Sequence, residues 1–242
     1  MLFRKIGWMV AAASAALWIA AEARSAEQAA AAKIKVLVIS NSDHHDYKAF
    51  GAFMSDLLAK TGDFELTGPE GPNGHDGLKA ENLKKYDLVL LFGSGGDFTD
   101  PAQEQGLNQF VRNGGGLVGV HATDFAKKSD VYWELMGGRQ QGTGPSTTIR
   151  ITEEKHPITA GMKDFEIDDE TYGNKEFPGA KLVILGLGDR DKQKVPMIWV
   201  QEVGKGRVFN ATFGHGVRAW NGPHFQRVLT RGLYWSVGRE PK

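Results

Sequence analysis

Apolar residues recur along this chain in two alternating rhythms, and the alternation predicts the architecture. Residues 33–40 (KIKVLVIS) form a short, almost unbroken apolar run, as expected of a strand covered on both faces. Phe50, Phe53, Met54, Leu57 and Leu58 then fall at helical spacing and make one apolar face, which Gly62 ends. Residues 64–67 predict a second strand, residues 68–77 a loop of glycines and prolines, and residues 86–92 (YDLVLLF) a third strand. Asp100, Pro101 and Gln103 mark a helix start: a capping carboxylate, a proline at the first helical position and a glutamine able to reach back. That helix buries Leu107, Phe110 and Val111, and Gly114, Gly115 and Gly116 close it. Residues 117–120 are the fourth strand, and residues 131–138 a short helix carrying Trp133 and Met136.

After Gln140 the rhythm changes. Residues 147–152, 165–172, 181–187, 197–202 and 208–213 are extended runs with few helices between them. Val203-Gly204-Lys205-Gly206 predicts a hairpin joining the last two, with residues 205–210 as a final central strand the alternative. A helix over residues 223–237 buries Phe225, Val228, Leu229 and Leu233. The expectation is an α/β fold, a three-layer α/β/α sandwich whose sheet is mostly parallel with antiparallel additions in the second half, forming one domain over residues 33–242.

The first 26 residues have a different pattern: Arg4 and Lys5, then an apolar, alanine-rich stretch over residues 6–20, then Ala21-Glu22-Ala23 as a small-x-small cleavage site. They predict a signal peptide, with Ala26 a second cleavage point and residues 27–32 a spacer. The stretch is shorter than the roughly 20 residues of a spanning helix, so export to the periplasm or beyond, with no stable membrane span after processing, is favoured over an uncleaved anchor. Lys+Arg and Asp+Glu both number 29, which leaves no basic field for nucleic acid and points to a neutral small-molecule partner. Cysteine is absent, so disulfides, thiolate metal sites and a cysteine nucleophile are excluded.

The candidate chemistry gathers where strands end. His45, His121 and His215 each follow an apolar strand, and in a parallel sheet all three would lie at the carboxyl edge, where ligands bind. Asp46, Asp97 and Asp124 occupy the same loops and could orient imidazoles, move protons or simply cap and solvate. The loop containing Gly95 would let a ligand approach the backbone. Glu170 belongs to an acidic cluster, residues 168–170, that would face a cation or a sugar's hydroxyls, or solvent. Trp199 and Trp220, with Tyr47 and Tyr172, could form a platform for a sugar ring or belong to the core. Gly114, Gly116 and Gly119 satisfy G-x-G-x-x-G, but they precede and occupy a strand instead of opening a helix, so no dinucleotide cofactor is expected.

The ordered pieces His45-Asp46-Tyr47, Asn113-Gly114-Gly115-Gly116-Leu117-Val118-Gly119-Val120-His121-Ala122 and His156-Pro157-Ile158-Thr159-Ala160-Gly161 resemble the ThuA-like (trehalose utilisation) family. Asp169-Glu170-Thr171-Tyr172, Pro196-Met197-Ile198-Trp199 and Gly204-Lys205-Gly206-Arg207-Val208-Phe209 through Gly214-His215 continue the match to about Gly238. The resemblance implies the flavodoxin-like sandwich of the class I glutamine amidotransferase-like superfamily. There the elbow after the central strand carries a cysteine; His121 stands in its place, which excludes amidotransferase chemistry. The implied role is carbohydrate catabolism on a disaccharide or its 3-keto derivative.

The expected activity is that of a hydrolase or lyase, with a non-catalytic sugar-binding protein as the alternative. Its expected catalytic residues are His45, His121, His215, Asp46 and Glu170; its substrate-binding residues are Tyr47, Gly95, Asp97, Asp124, Tyr172 and Trp199. No tightly bound structural metal is expected: the histidines lack short ligand spacing, and Gly138-Arg139-Gln140-Gln141-Gly142-Thr143-Gly144-Pro145 lacks a histidine that many relatives carry. A weak divalent ion such as zinc, held by His45, His121, His215 and Glu170, stays open. Exposed strands at a sheet edge would allow a homo-oligomer.

Overall fold

A computed structural model describes residues 32–40, 44–70, 74–93, 96–124 and 126–240. The expected leader, nearly all of the spacer and Gly95 lie outside the described residues. The first half alternates as β1 (Ile34–Ile39), α1 (Tyr47–Ala59), β2 (Phe64–Glu70), α2 (Ala80–Leu83), β3 (Leu88–Phe92), α3 (Pro101–Arg112) and β4 (Gly116–Val120). Asp100 and Gln103 form the expected capping box at the start of α3. Two local expectations change: β2 runs on to Glu70, and a 3-10 turn at Gly74–Leu78 leads into the single turn of α2. The second half contains α4 (Asp130–Met136), β5 (Gly138–Gly144), β6 (Thr147–Ile151), β7 (Phe165–Ile167), β8 (Thr171–Glu176), β9 (Val183–Arg190), β10 (Gln193–Val203), β11 (Gly206–Ala211), α5 (Val217–Trp220) and α6 (Pro223–Ser236).

Nine strands form one sheet in the order β2-β1-β3-β4-β11-β10-β9-β6-β7, while β5 and β8 make a separate antiparallel pair. From β2 to β11 every neighbour is parallel, and from β11 to β7 every neighbour is antiparallel. Both alternatives for the segment after Val203 hold together. It turns through Gly204 into an antiparallel hairpin with β10, and β11 then pairs in parallel with β4 as a central strand. The parallel half has the flavodoxin-like order, with β11 in the fifth place, and in that order the ligand crevice lies outside the carboxyl ends of the strands.

Alternate strand residues explain why helices cover both faces. Val36, Val38, Leu88, Leu90, Val118 and Phe209 pack with Phe50, Met54, Phe225 and Leu229 from α1 and α6. Leu37, Ile39, Val89, Leu91, Leu117 and Val208 pack with Leu107, Val111, Trp133 and Met136 from α3 and α4. Each such fully buried side chain contributes about 1.5–3 kcal/mol through removal of apolar surface from water. The glycine pattern that mimics a dinucleotide motif serves the same packing. A Cβ on Gly116 would stand 2.8 Å from the Ser236 carbonyl oxygen, and one on Gly119 2.2 Å from Asn210 Oδ1. No helix among the described residues is long and apolar enough to cross a membrane.

Candidate active site

β1, β4 and β11 run in parallel, so the residues that follow them emerge at one edge of the sheet. His121 comes directly after Val120, the last residue of β4, and its N–H donates to the Ala211 carbonyl at 2.8 Å. Its φ of +57° is left-handed, a conformation that few residues other than glycine adopt. The amide of Gln140, on β5, holds this elbow: it donates to the His121 carbonyl and accepts the Thr123 N–H at 2.9 Å. His45 lies in the turn between β1 and α1 and is 9% exposed. His215 stands after β11 on the open side, where its N–H and that of Gly214 both donate to Asp169 Oδ2, the former at 2.7 Å.

The three rings meet. The His45 centroid lies 4.9 Å from that of His121 and 5.1 Å from that of His215, and the last two rings stack 4.9 Å apart. One ring nitrogen from each lies within 4.8 Å of the others. Glu170 Oε1 reaches to 3.6 Å from His121 Nε2, and the Tyr172 ring packs 4.9 Å from the His121 ring. The Tyr172 hydroxyl donates to the Glu170 carboxylate. His121 is fully buried, and neither of its ring nitrogens makes a hydrogen bond.

Burial and crowding keep this cluster uncharged. Burial lowers the His45 pKa to about 4, with neighbouring His215 and His44 adding to the effect and Asp124 opposing it. Burial likewise holds His121 well below the usual histidine range, helped by His45 and His215 and opposed by the Thr212 backbone. Tyr172 is pushed up to about 12 by burial and by the carboxylates of Glu170 and Asp124. Burial raises the Asp169 carboxyl, against the backbone N–H groups that it accepts.

A stability test follows from the sign of these shifts. Below the ordinary histidine pKa of about 6.5 the unfolded chain binds protons at positions 45 and 121 that the fold excludes, so acid favours unfolding. The melting temperature of chelator-treated protein should therefore fall as pH drops from the value for free histidine, 6.5, towards the His45 value of about 4. A His45→Gln variant should show a shallower slope in the same series of thermal melts.

Other residues selected from sequence have different positions. The Asp46 carboxylate caps α1 by accepting the Ala49 N–H at 2.9 Å, and so faces the helix end. Asp97 is exposed and 3.4 Å from Lys128. Asp124 pairs with Lys127 at 2.9 Å, while its Oδ1 is buried without a hydrogen bond. Tyr47 is half-buried at the first position of α1. Trp199 is corrected: it is 2% exposed, with its indole N–H donating to the Met136 carbonyl, so it belongs to the core and offers no platform. Trp220 is buried too, donating to the Gly214 carbonyl at 2.7 Å.

Sequence reasoning missed Gln140 and the role of Asp169. Gln140 lies in a glycine-rich segment with no local sign of function. Asp169 was one of three adjacent acids, and nothing in that cluster singles it out as the clamp on His215.

Residues 35–236 match the family model described as ThuA, trehalose utilisation. The chain belongs to the ThuA family. A ThuA-like protein from Parabacteroides merdae superposes with a TM-score of 0.73 at 22% identity, covering 87% of this chain and 92% of that one. A second, from Bacteroides uniformis, gives 0.67 at 20% identity, covering 87% and 94%. The fold also matches part of a β-galactosidase from Bacillus circulans, with a TM-score of 0.60 at 13% identity over 87% of this chain and 32% of that one. No curated protein matches the chain. With a ThuA fold and no cysteine, the left-handed elbow presents an imidazole where amidotransferase relatives of the superfamily present a thiol.

Proposed function

We propose that this ThuA-family protein is an exported carbohydrate-processing enzyme that cleaves a disaccharide or 3-keto-glycoside by hydrolysis or elimination. The observation that carries this reading is the fully buried His121 ring with both nitrogens unbonded, beside a carboxylate and two further imidazoles. Buried polar atoms rarely lack partners, and a sugar's oxygens can supply them. Export rests on Arg4, Lys5 and the apolar stretch that follows them.

On a 3-keto-glycoside the carbonyl at C3 acidifies the C2–H bond. Glu170 accepts the C2 proton, and the electron pair moves to the C3 oxygen. Neutral N–H groups of His121 and His45 donate to that oxyanion; an uncharged imidazole can act in this way. The C3 carbonyl then re-forms, a C1–C2 double bond appears, and the C1–O bond breaks. The leaving oxygen takes the proton back from Glu170. Addition of water across the double bond gives net hydrolysis. The oxidation state of the sugar is unchanged, so no redox partner is needed.

Incubation of purified protein with 3-keto-glycosides and parent disaccharides, with and without added divalent metal, tests the proposal. Release of a monosaccharide or an aglycone supports it. Saturable binding with no turnover in any arm sinks the enzyme and leaves a sugar-binding protein.

A further inference from the structure

We propose that His45, His121 and His215 form a binding site for one divalent cation of the zinc class, with its fourth position open towards Glu170. The inference goes beyond the substrate reading and does not depend on it. Three facts carry it. One ring nitrogen from each histidine lies within 4.8 Å of the other two, and the three come from separate strand ends fixed by the same parallel sheet. The middle ligand, His121, is fully buried with both ring nitrogens unbonded, so the fold holds a lone pair in a dry position without a partner. Burial keeps His45 and His121 in the neutral form that coordinates metal.

The geometry needs little adjustment. Three nitrogens at the 4.8 Å limit would surround a point about 2.8 Å from each, and tetrahedral zinc with Zn–N bonds of about 2.0–2.1 Å requires each to move inward by roughly 0.8 Å. His215 lies on an exposed loop and can supply the largest share, while the elbow held by Gln140 keeps His121 still. Three histidines with an open fourth position are the pattern of catalytic, not structural, zinc. Glu170, 3.6 Å from His121 Nε2 and partly exposed, then stands beside the open position as a proton acceptor. Such a cation would supply Lewis-acid polarisation of a substrate oxygen. The missing sequence spacing is explained by the fold, since the ligands converge from β1, β4 and β11 and not from one helix.

The test uses the full chain purified without metal-affinity resin. Elemental analysis should find close to one zinc-class ion per chain, and chelator-stripped protein titrated with cobalt should develop the intense visible absorption of a tetrahedral site. His45→Ala and His215→Ala should each weaken cobalt affinity by more than about tenfold while retaining native circular dichroism, whereas Glu170→Gln should weaken it by no more than roughly tenfold. His215 is exposed, so its variant keeps the test decisive if the His45 variant misfolds. No cobalt uptake at micromolar concentration, or equal uptake by wild type and His215→Ala, overturns the site. Glycoside cleavage by metal-free protein would overturn the catalytic placement of the cation but leave the enzyme proposal intact. Stoichiometric metal without glycoside cleavage would support the site and count against the substrate.

Discussion

Replacing His121 by asparagine should lower kcat/KM on a 3-keto-glycoside by roughly 10³-fold, as expected when a donor to a developing oxyanion is removed. The same change should alter unfolding free energy by no more than about 2 kcal/mol. The reason lies in the backbone. His121 has φ +57°, and asparagine tolerates the left-handed region better than other residues with a side chain, so the elbow survives while the ring is lost. Two opposing effects keep the stability change small: a cavity opens, and two unbonded buried nitrogens disappear. Alanine should match the loss of activity but cost about 1 kcal/mol more in stability, because its Cβ is less tolerant of this conformation. Steady-state kinetics and urea denaturation on the same two variants check the pair. If asparagine unfolds the protein as much as it slows it, the ring is a packing element and the active-site reading fails.

The parallel half of the fold was legible because each of its elements is regular enough to repeat a period. Val36 to Ile39 and Leu88 to Phe92 are buried on both faces, and continuous apolar runs record that fact. Asp100 with Gln103 announces the start of α3 locally, since a cap is made by residues three apart. The second half was less legible because its pairings are not local. The extended run over residues 165–172 looks continuous in sequence, yet it breaks at residues 168–170, with β7 joining the large sheet and β8 pairing with β5. That break turns Asp169 towards the His215 loop and Glu170 towards His121.

The site follows the same division. That three histidines share an edge could be read from strand ends, because parallel strands put their carboxyl ends together. Whether each neighbouring carboxylate belongs to the site could not be read so, because an acid after a strand also starts the next helix. Asp46 illustrates this: it is adjacent in sequence to His45, but capping α1 takes its oxygen. Trp199 illustrates the converse, an aromatic residue whose hydrogen-bond partner, Met136, is remote in sequence and so leaves no local sign of burial.

Glu170 and Asp46 therefore make a discriminating pair. Glu170→Gln should lower kcat by about 10²–10⁴-fold with little change in KM, the range for loss of a general base, since glutamine keeps the shape but cannot accept the proton. The hydrogen bond from Tyr172 can pass to the glutamine oxygen, so the ring beside His121 stays in place and the fold should be as stable as wild type. Asp46→Ala should do the reverse. It removes the acceptor for the Ala49 N–H and should cost about 1 kcal/mol of stability, with kcat close to wild type. Kinetics and denaturant midpoints on both proteins separate the roles. Should Asp46→Ala abolish turnover while Glu170→Gln preserves it, proton transfer would belong to the loop after β1, and the elimination path through Glu170 would be wrong.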